Sequence, residues 1–477
     1  MFQLALDPNP DQPLFLQITH AVIHGIRNGR LKPGARLPGS RALAETLGVH
    51  RSTVVVAYQE LLAEGWIQTS EARGTFVSPD IPDVTPRRFS PRPQRESIPD
   101  RLGFEMRSAP AFVEPKAAPR GTLTMGGGVP DARLVPGEKL ARAYRRALRK
   151  DPRTLLGYGD PRGHERLRTA LASMLAATRG LAAGADDLVV TRGAQMAVAL
   201  AARALIEPGD VVAVEEYGYR PAWEALRQCG ARLVSVPVDG EGLNVAVLTA
   251  LAKRTRMRAI YLTPHHQYPT MVTLAAARRL ALLDLARRER IAIIEDDYDH
   301  EFHYDGRPVL PLASADRAGV VVYIGTLSKI LAPGLRIGYV AAPRVLLERI
   351  VAHRYVIDRQ GDQAVECAVA ELLEDGEVQR HARRCRRIYR ARRDFLVHSL
   401  REKFSQRLSF EVPAGGMALW VRAHGFDVET WAARALAAGV QIHAARRFTF
   451  SGKPRPFVRM GYAALTEREL AEAVRRL

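Results

Sequence analysis

Near the N-terminus, apolar positions fall into three short helical repeats followed by two strand-like runs. From Pro13 to about Gly29, the residues Leu14, Leu16, Ile18, Val22 and Ile26 recur at mostly helical spacing, which predicts an amphipathic helix. The stretch Leu31-Lys-Pro-Gly-Ala-Arg-Leu-Pro-Gly-Ser40 is rich in turn formers. It places Ser40 as the N-cap of a second helix, Arg41 to Leu47, which Gly48 ends. A third helix is expected from about Thr53 to Glu64, closed by Gly65. Trp66-Ile67-Gln68 and Gly74-Thr75-Phe76-Val77 then read as two short strands with a loop between them. Two short helices joined by a tight glycine-containing turn form a helix-turn-helix, whose second helix can enter a DNA major groove; the strands add a wing.

The pattern changes after this head. Pro79, Pro82, Pro86, Pro91, Pro93, Pro99, Pro110, Pro115 and Pro119 punctuate a polar, arginine-rich stretch without periodicity, so residues 79–120 read as a linker, semi-extended where proline is dense. Such a length would let the head reach another subunit. Beyond Gly121, apolar runs of strand length alternate with helical segments rich in Ala, Leu and Arg. The runs are Asp187-Leu-Val-Val-Thr191, Val211-Val-Ala-Val214, Ala259-Ile-Tyr-Leu262, Ile291-Ala-Ile-Ile294 and Val320-Val-Val-Tyr-Ile324. Uninterrupted apolar runs suit strands buried on both faces, so residues 121–477 are expected to be α/β with a mostly parallel sheet, and a smaller α+β part from about Val340.

A length of 477 residues fits two or three domains. The net charge of +19 invites a nucleic-acid reading, but its distribution does not locate the contact. Residues 1–78 hold seven Lys/Arg against six Asp/Glu, a surplus of one, and most of the excess lies in the C-terminal part. The densest cluster, Arg380 to Arg393, reads as the solvated face of a helix, with a supporting contact to DNA phosphates as the alternative. Cys229, Cys367 and Cys385 have neither a disulfide pattern nor metal-ligand spacing, so a reducing cytoplasm and no metal are expected. No apolar run reaches membrane length and the N-terminus lacks a leader pattern, so no membrane partner is expected.

The stretch Thr326-Leu-Ser-Lys-Ile-Leu-Ala-Pro-Gly-Leu-Arg-Ile-Gly338 sets a lysine in apolar surroundings. Such a lysine must be desolvated or neutralised, and one productive outcome is a Schiff base to an aldehyde cofactor such as pyridoxal phosphate (PLP). Thr326, Ser328 and Arg336 offer the hydroxyls and planar guanidinium that match a phosphate. On these residues alone, Lys329 reads equally well as an ordinary loop lysine. Two other strand ends add to the pattern. Thr191-Arg-Gly-Ala-Gln195 opens an Ala-rich helix, whose N–H groups can hold a phosphate. Ile294-Glu-Asp-Asp-Tyr298 ends in carboxylates that could pair with a protonated pyridine nitrogen, or serve as a helix cap or metal ligand.

The head resembles the winged helix-turn-helix domain of GntR-type transcription factors. Gly34-Ala-Arg-Leu-Pro38, Ser40-Arg-Ala-Leu-Ala44, Leu47-Gly-Val49, Arg51-Ser-Thr-Val54, Ala57-Tyr58, Leu61, Glu64-Gly65 and Gly74-Thr-Phe-Val77 carry the likeness across residues 12–78. The resemblance implies DNA contacts from Arg36, Ser40, Arg41, Arg51, Ser52, Thr53 and Gly74. Residues 121–477 resemble a fold-type I, class I aminotransferase, through Gly157-Tyr-Gly-Asp-Pro-Arg-Gly163, Thr191-Arg-Gly-Ala-Gln195, Glu295-Asp-Asp-Tyr-Asp299, Gly325-Thr-Leu-Ser-Lys329 and Ala332-Pro-Gly-Leu-Arg-Ile-Gly338. Head, linker and this domain together resemble the MocR subfamily of GntR regulators.

That resemblance implies PLP held as an aldimine at Lys329, with Asp296 at the pyridine nitrogen and Tyr298 at the ring oxygen. It puts Tyr219 against the ring and Ala194, Gln195, Thr326, Ser328 and Arg336 at the phosphate. Tyr158 would reach the cofactor of a partner subunit, and Arg459 would grip the carboxylate of an amino compound. The usual Asn-Pro-Thr-Gly is replaced by His265-His-Gln-Tyr-Pro-Thr-Met271, which leaves His266 or Gln267 to reach the ring oxygen, and Tyr217 stands where the family has a proline. The implied protein is a homodimeric regulator that reads paired half-sites on double-stranded DNA and senses PLP or an amino compound. The alternative is a PLP-dependent aminotransferase carrying a DNA-binding head.

Overall fold

The computed structural model describes residues 13–70, 73–80, 103–105 and 118–477. The chain divides into two compact units, with residues 13–105 in one and 118–477 in the other. The expected linker at 79–120 lies almost entirely outside the described residues.

In the first unit, α1 (Leu14–Arg27), α2 (Ser40–Leu47) and α3 (Arg51–Ala63) enclose a core that includes Ile18, Val22, Leu43, Val54, Ala57 and Leu61, each fully buried. Gly48 ends α2 in the left-handed conformation at φ 64°, which a residue with a Cβ adopts only at a cost. Ser40 does not cap: Gly39 takes the N-cap position and Ser40 is the first helical residue, without a capping bond. The third helix also starts earlier than its apolar pattern suggests. His50 accepts from the Ser52 N–H through Nδ1 at 3.3 Å, which satisfies one of the free donors of the first turn and carries the helix back to Arg51. The wing pairs β1 (Ile67–Ser70) with β2 (Gly74–Val77), and the Gly34–Leu37 segment hydrogen-bonds along the other side of β2.

The second unit is built on a seven-stranded sheet. In chain order its strands are β3 (Leu188–Thr191), β4 (Val211–Glu215), β5 (Arg232–Val236), β6 (Met257–Leu262), β7 (Ala292–Asp297), β8 (Val321–Thr326) and β9 (Gly338–Ala341). They lie side by side as β3-β9-β8-β7-β6-β4-β5, and β9 alone runs antiparallel to its neighbours. Every residue of β3, β4 and β8 is buried, as expected of a sheet covered by helices on both faces.

Val340 sits inside β9, so the small part begins later than its expected start. It holds a four-stranded antiparallel sheet of Leu408–Ser409, Ala418–Ala423, Phe457–Gly461 and His443–Ala444. Its members are not all C-terminal: Leu123–Thr124 pairs in parallel with Val440–Gln441, and Met125 enters the same hydrophobic core. The arginine cluster lies on the long helix Glu377–Phe404, and only part of it is solvated. Arg392 is buried against Asp131 (3.0 Å) and the Ala463 carbonyl, and Arg393 against Asp305 (2.6 Å) and the Pro413 carbonyl. Both guanidiniums pin this helix to its neighbours, because a buried charge needs a partner.

Candidate functional site

The strand ends of the sheet converge on a cavity of about 210 Å³. Asp296 comes from β7, Thr326 from β8, Thr263 follows β6, and Ala194 follows β3 by way of Gly193. This is the carboxyl edge of the parallel strands, where side chains and helix N-termini face one crevice.

Lys329 projects into this cavity, and its Nζ donates to the Gly128 carbonyl at 3.3 Å. Burial, then Arg459, push the amine down to about 8, against the pull of Asp299 and Asp296. Strand alternation separates the two adjacent aspartates. Asp296 faces the cavity; its Oδ2 accepts from the Tyr261 hydroxyl at 2.8 Å while Oδ1 has no partner among the described residues. Burial raises its carboxyl to about 6, with Asp297 and Asp299 adding to the rise. Asp297 points elsewhere, toward the Tyr323 hydroxyl (2.6 Å) and His300 (3.1 Å). Burial would raise Asp297, and His300 with His265 and Arg179 overcomes it, so this carboxyl lies far below its ordinary value.

At the other end of the cavity, Gly193 with φ 80° turns the chain from β3 into the helix Ala194–Leu205. The first N–H groups of a helix have no carbonyl within it to bond, and the dipole makes this end attractive to an anion. Ser328 Oγ is buried without a partner, Thr326 Oγ1 accepts from the Ser328 N–H at 3.1 Å, and Arg336 lies across Gly193 with one Nη on the Arg192 carbonyl at 2.8 Å. Arg459 is buried to 1% exposure, its Nε and Nη1 have no partner among the described residues, and its guanidinium stacks on the Tyr268 ring at 4.5 Å. A buried guanidinium with free donors is costly unless an anion completes it.

The backbone approach here tolerates no side chain. A Cβ on Gly338 would lie 2.6 Å from the Gly193 carbonyl carbon and 2.8 Å from the Ala194 nitrogen. Gly338→Ala should therefore lower unfolding stability by about 1–3 kcal/mol, as overpacking does, and should displace the Ala194 turn. Urea denaturation checks the first effect.

Of the residues named from sequence, Lys329, Asp296, Tyr298, Ala194, Gln195, Tyr219, Thr326, Ser328, Arg336 and Arg459 all line this one cavity. Three named residues are not in it. His266 turns its ring away, with Nδ1 on Asp299 at 2.7 Å, and only its carbonyl serves the site by accepting from the Tyr298 hydroxyl at 2.9 Å. Tyr158 is 83% exposed and lies under the Arg359 guanidinium at 4.0 Å. Gln267 is likewise occupied, donating to the Tyr217 and Tyr268 carbonyls, both at 2.7 Å. Gly127, Gly128, Thr263 and Tyr268 line the cavity without having been anticipated. Tyr268 was detectable: it directly precedes Pro269-Thr270, where the Asn of Asn-Pro-Thr-Gly would stand.

In the head, Arg51 and Ser52 are exposed on the first turn of α3, with Ser52 Oγ 2.6 Å from His50 Nδ1, and Thr53 is half-buried. Arg41 is exposed on α2 beside the half-buried Ser40. Arg36 is exposed next to Gly74, whose φ is 102°.

A winged helix-turn-helix joined to an aminotransferase fold is thus the class that these two units define, and comparison with known proteins agrees. Residues 130–477 match the family Aminotransferase class I and II, and residues 14–77 match Bacterial regulatory proteins, gntR family. The chain is 32% identical to the probable rhizopine catabolism regulatory protein MocR of Rhizobium meliloti, over 99% of this chain and 95% of that protein. It is 31% identical to the HTH-type transcriptional regulator TauR of Rhodobacter capsulatus, over 99% of this chain and 97% of that one. Among solved structures, the α-aminoadipate aminotransferase LysN of Thermus thermophilus, complexed with N-(5'-phosphopyridoxyl)-L-leucine, matches with a TM-score of 0.70 at 29% identity, covering 75% of this chain and 91% of that one. The chain belongs to the MocR-type GntR family of DNA-binding transcriptional regulators.

Among the described residues, no helix is long and apolar enough to cross a membrane.

Proposed function

We propose that this regulator binds PLP at Lys329 and uses the cavity around it to sense PLP itself or an amino compound, changing how its heads engage operator DNA. One observation carries this reading: an amine with a lowered pKa, an orphaned carboxylate oxygen, an orphaned hydroxyl and an orphaned guanidinium all border a single cavity. Bound there, the cofactor would supply an aldehyde on an electron-accepting ring. Asp296 Oδ1 suits the protonated ring nitrogen, and that positive partner would hold the carboxylate ionised. Ser328, Thr326, Arg336 and the Ala194–Gln195 turn suit the phosphate, and Tyr219 and Tyr298 suit the ring. Arg459 suits the carboxylate or similar anion of an effector amine. The effector shifts the heads only as far as its affinity differs between their arrangements. We further propose a homodimer, with paired heads on paired half-sites and Tyr158 reaching the neighbouring subunit's site.

The lowered amine gives a pH test. Lys329 is protonated below about pH 8, and only its neutral form attacks an aldehyde. Near pH 7 about one amine in ten is neutral, against about one in 3,000 for an ordinary lysine. The rate at which the cofactor-free protein acquires the imine absorbance of PLP should rise about tenfold per pH unit up to about 8, then level. A rate still climbing steeply at pH 10 would mean that Lys329 is an ordinary surface amine.

A further inference from the structure

Four histidines crowd together behind Tyr298. His265 and His266 follow β6; His300 and His303 follow β7, the next strand of the sheet. Ring centroids of His265 and His266 lie 4.3 Å apart, and those of His265 and His300 lie 4.4 Å apart. His265 is 4% exposed, and neither of its nitrogens has a partner among the described residues. His266 is 2% exposed, and its Nε2 is equally bare because Nδ1 is committed to Asp299. One ligand atom each from His265, His266 and His303 lies within 4.8 Å of the other two.

We propose that His265, His266 and His303 bind a divalent first-row transition-metal ion of the zinc class. Imidazole nitrogen is the donor that such ions favour, and three histidines with a fourth position left to water is an established geometry for them. At Zn–N distances of about 2.0–2.1 Å, a tetrahedral site needs nitrogens about 3.3 Å apart, so a shift of about 1 Å in the side chains closes the present separation. The surroundings suit a cation. Asp299 on His266 fixes the tautomer that presents Nε2 outward, the usual arrangement behind a ligating histidine. Asp297, beside His300, adds a second carboxylate. His300 and His303 also border a second cavity of about 280 Å³, which gives an ion and its water a way in. Nothing in this site depends on the PLP reading. The ion would tie together two loops whose other side, through the His266 carbonyl and the Tyr298 hydroxyl, forms the wall of the Lys329 cavity.

The test is a Co²⁺ titration of the full-length protein after dialysis against a chelator, followed by visible absorption, with Zn²⁺ as competitor. One ion per chain is expected, with the ligand-field bands of a nitrogen site and displacement by Zn²⁺. His303→Ala, at a half-buried position, should weaken binding at least tenfold while leaving the thermal unfolding transition in place; His265→Asn should do the same. His398→Ala, on an exposed histidine, should change nothing. Uptake below one ion per chain, binding unaffected by His303→Ala, or a sulfur-to-cobalt charge-transfer band would each overturn the proposal.

Discussion

Lys329→Ala is expected to abolish the imine absorbance band of the PLP-loaded protein and any spectral change caused by an amine effector, without unfolding the chain. The two parts of this expectation have different origins. The band requires a primary amine at that position, and among the cavity-lining residues Lys329 alone has one. The fold does not require it: Nζ has a single long bond, 3.3 Å to the Gly128 carbonyl. The lowered pKa even makes the lysine a burden on the cofactor-free protein. Below about pH 8 it is charged in both folded and unfolded states, and a fall from 10.5 to about 8 means the fold disfavours that charge by about 3 kcal/mol. The penalty fades as pH rises toward 10.5. At pH 7 the cofactor-free alanine variant should therefore unfold at a urea concentration no lower than that of the parent. A variant that keeps the band would refute the attachment point; one that loses both band and stability would mean that Lys329 is a structural residue.

Arg51→Ala should weaken operator binding by about 1–3 kcal/mol for each half-site, the range for losing a bidentate base contact. Two heads on paired half-sites would feel the loss twice. Arg51 is exposed on the first turn of α3, and the helix keeps its His50 cap and its Val54, Ala57 and Leu61 core contacts without it. Stability should hardly change, so a footprint or a fluorescence anisotropy titration reads the contact itself. Salt dependence then sorts the type of contact. If Arg51 touches a phosphate, the slope of log affinity against log salt falls by about one per head with sequence preference intact; if it reads a base, preference relaxes at one position. An unchanged affinity would take Arg51 out of the interface.

What could be read in advance follows physical lines. The sheet strands announced themselves because burial on both faces demands uninterrupted apolar runs, as in Val211–Glu215 and Val321–Thr326. The head was legible because Gly48 and Gly65 mark positions of positive φ that few other residues tolerate. Leu123–Thr124 was hidden, since a two-residue strand has no period to detect. Arg392 and Arg393 misled for the opposite reason: an arginine-rich helix resembles a solvated face until Asp131 and Asp305 arrive from distant segments. The histidine group escaped because its members come from two neighbouring strand ends, with no local ligand spacing to catch the eye. The polar His266 and Gln267 are the residues that the sequence pattern favours at the ring oxygen, yet their hydrogen-bonding groups are engaged elsewhere and the neighbouring Tyr268 lines the cavity instead.

The segment after the head does not enter the second unit at a neutral point. Thr124 pairs with Gln441; two residues on, His443 pairs with Arg459; and the Met125 carbonyl accepts from the Gly461 N–H. A few residues further, Gly128 gives its carbonyl to Lys329 and packs against the Arg459 guanidinium. The first described residues of the second unit are thus moored on the wall of the Lys329 cavity, at the point where the sequence arrives from the head.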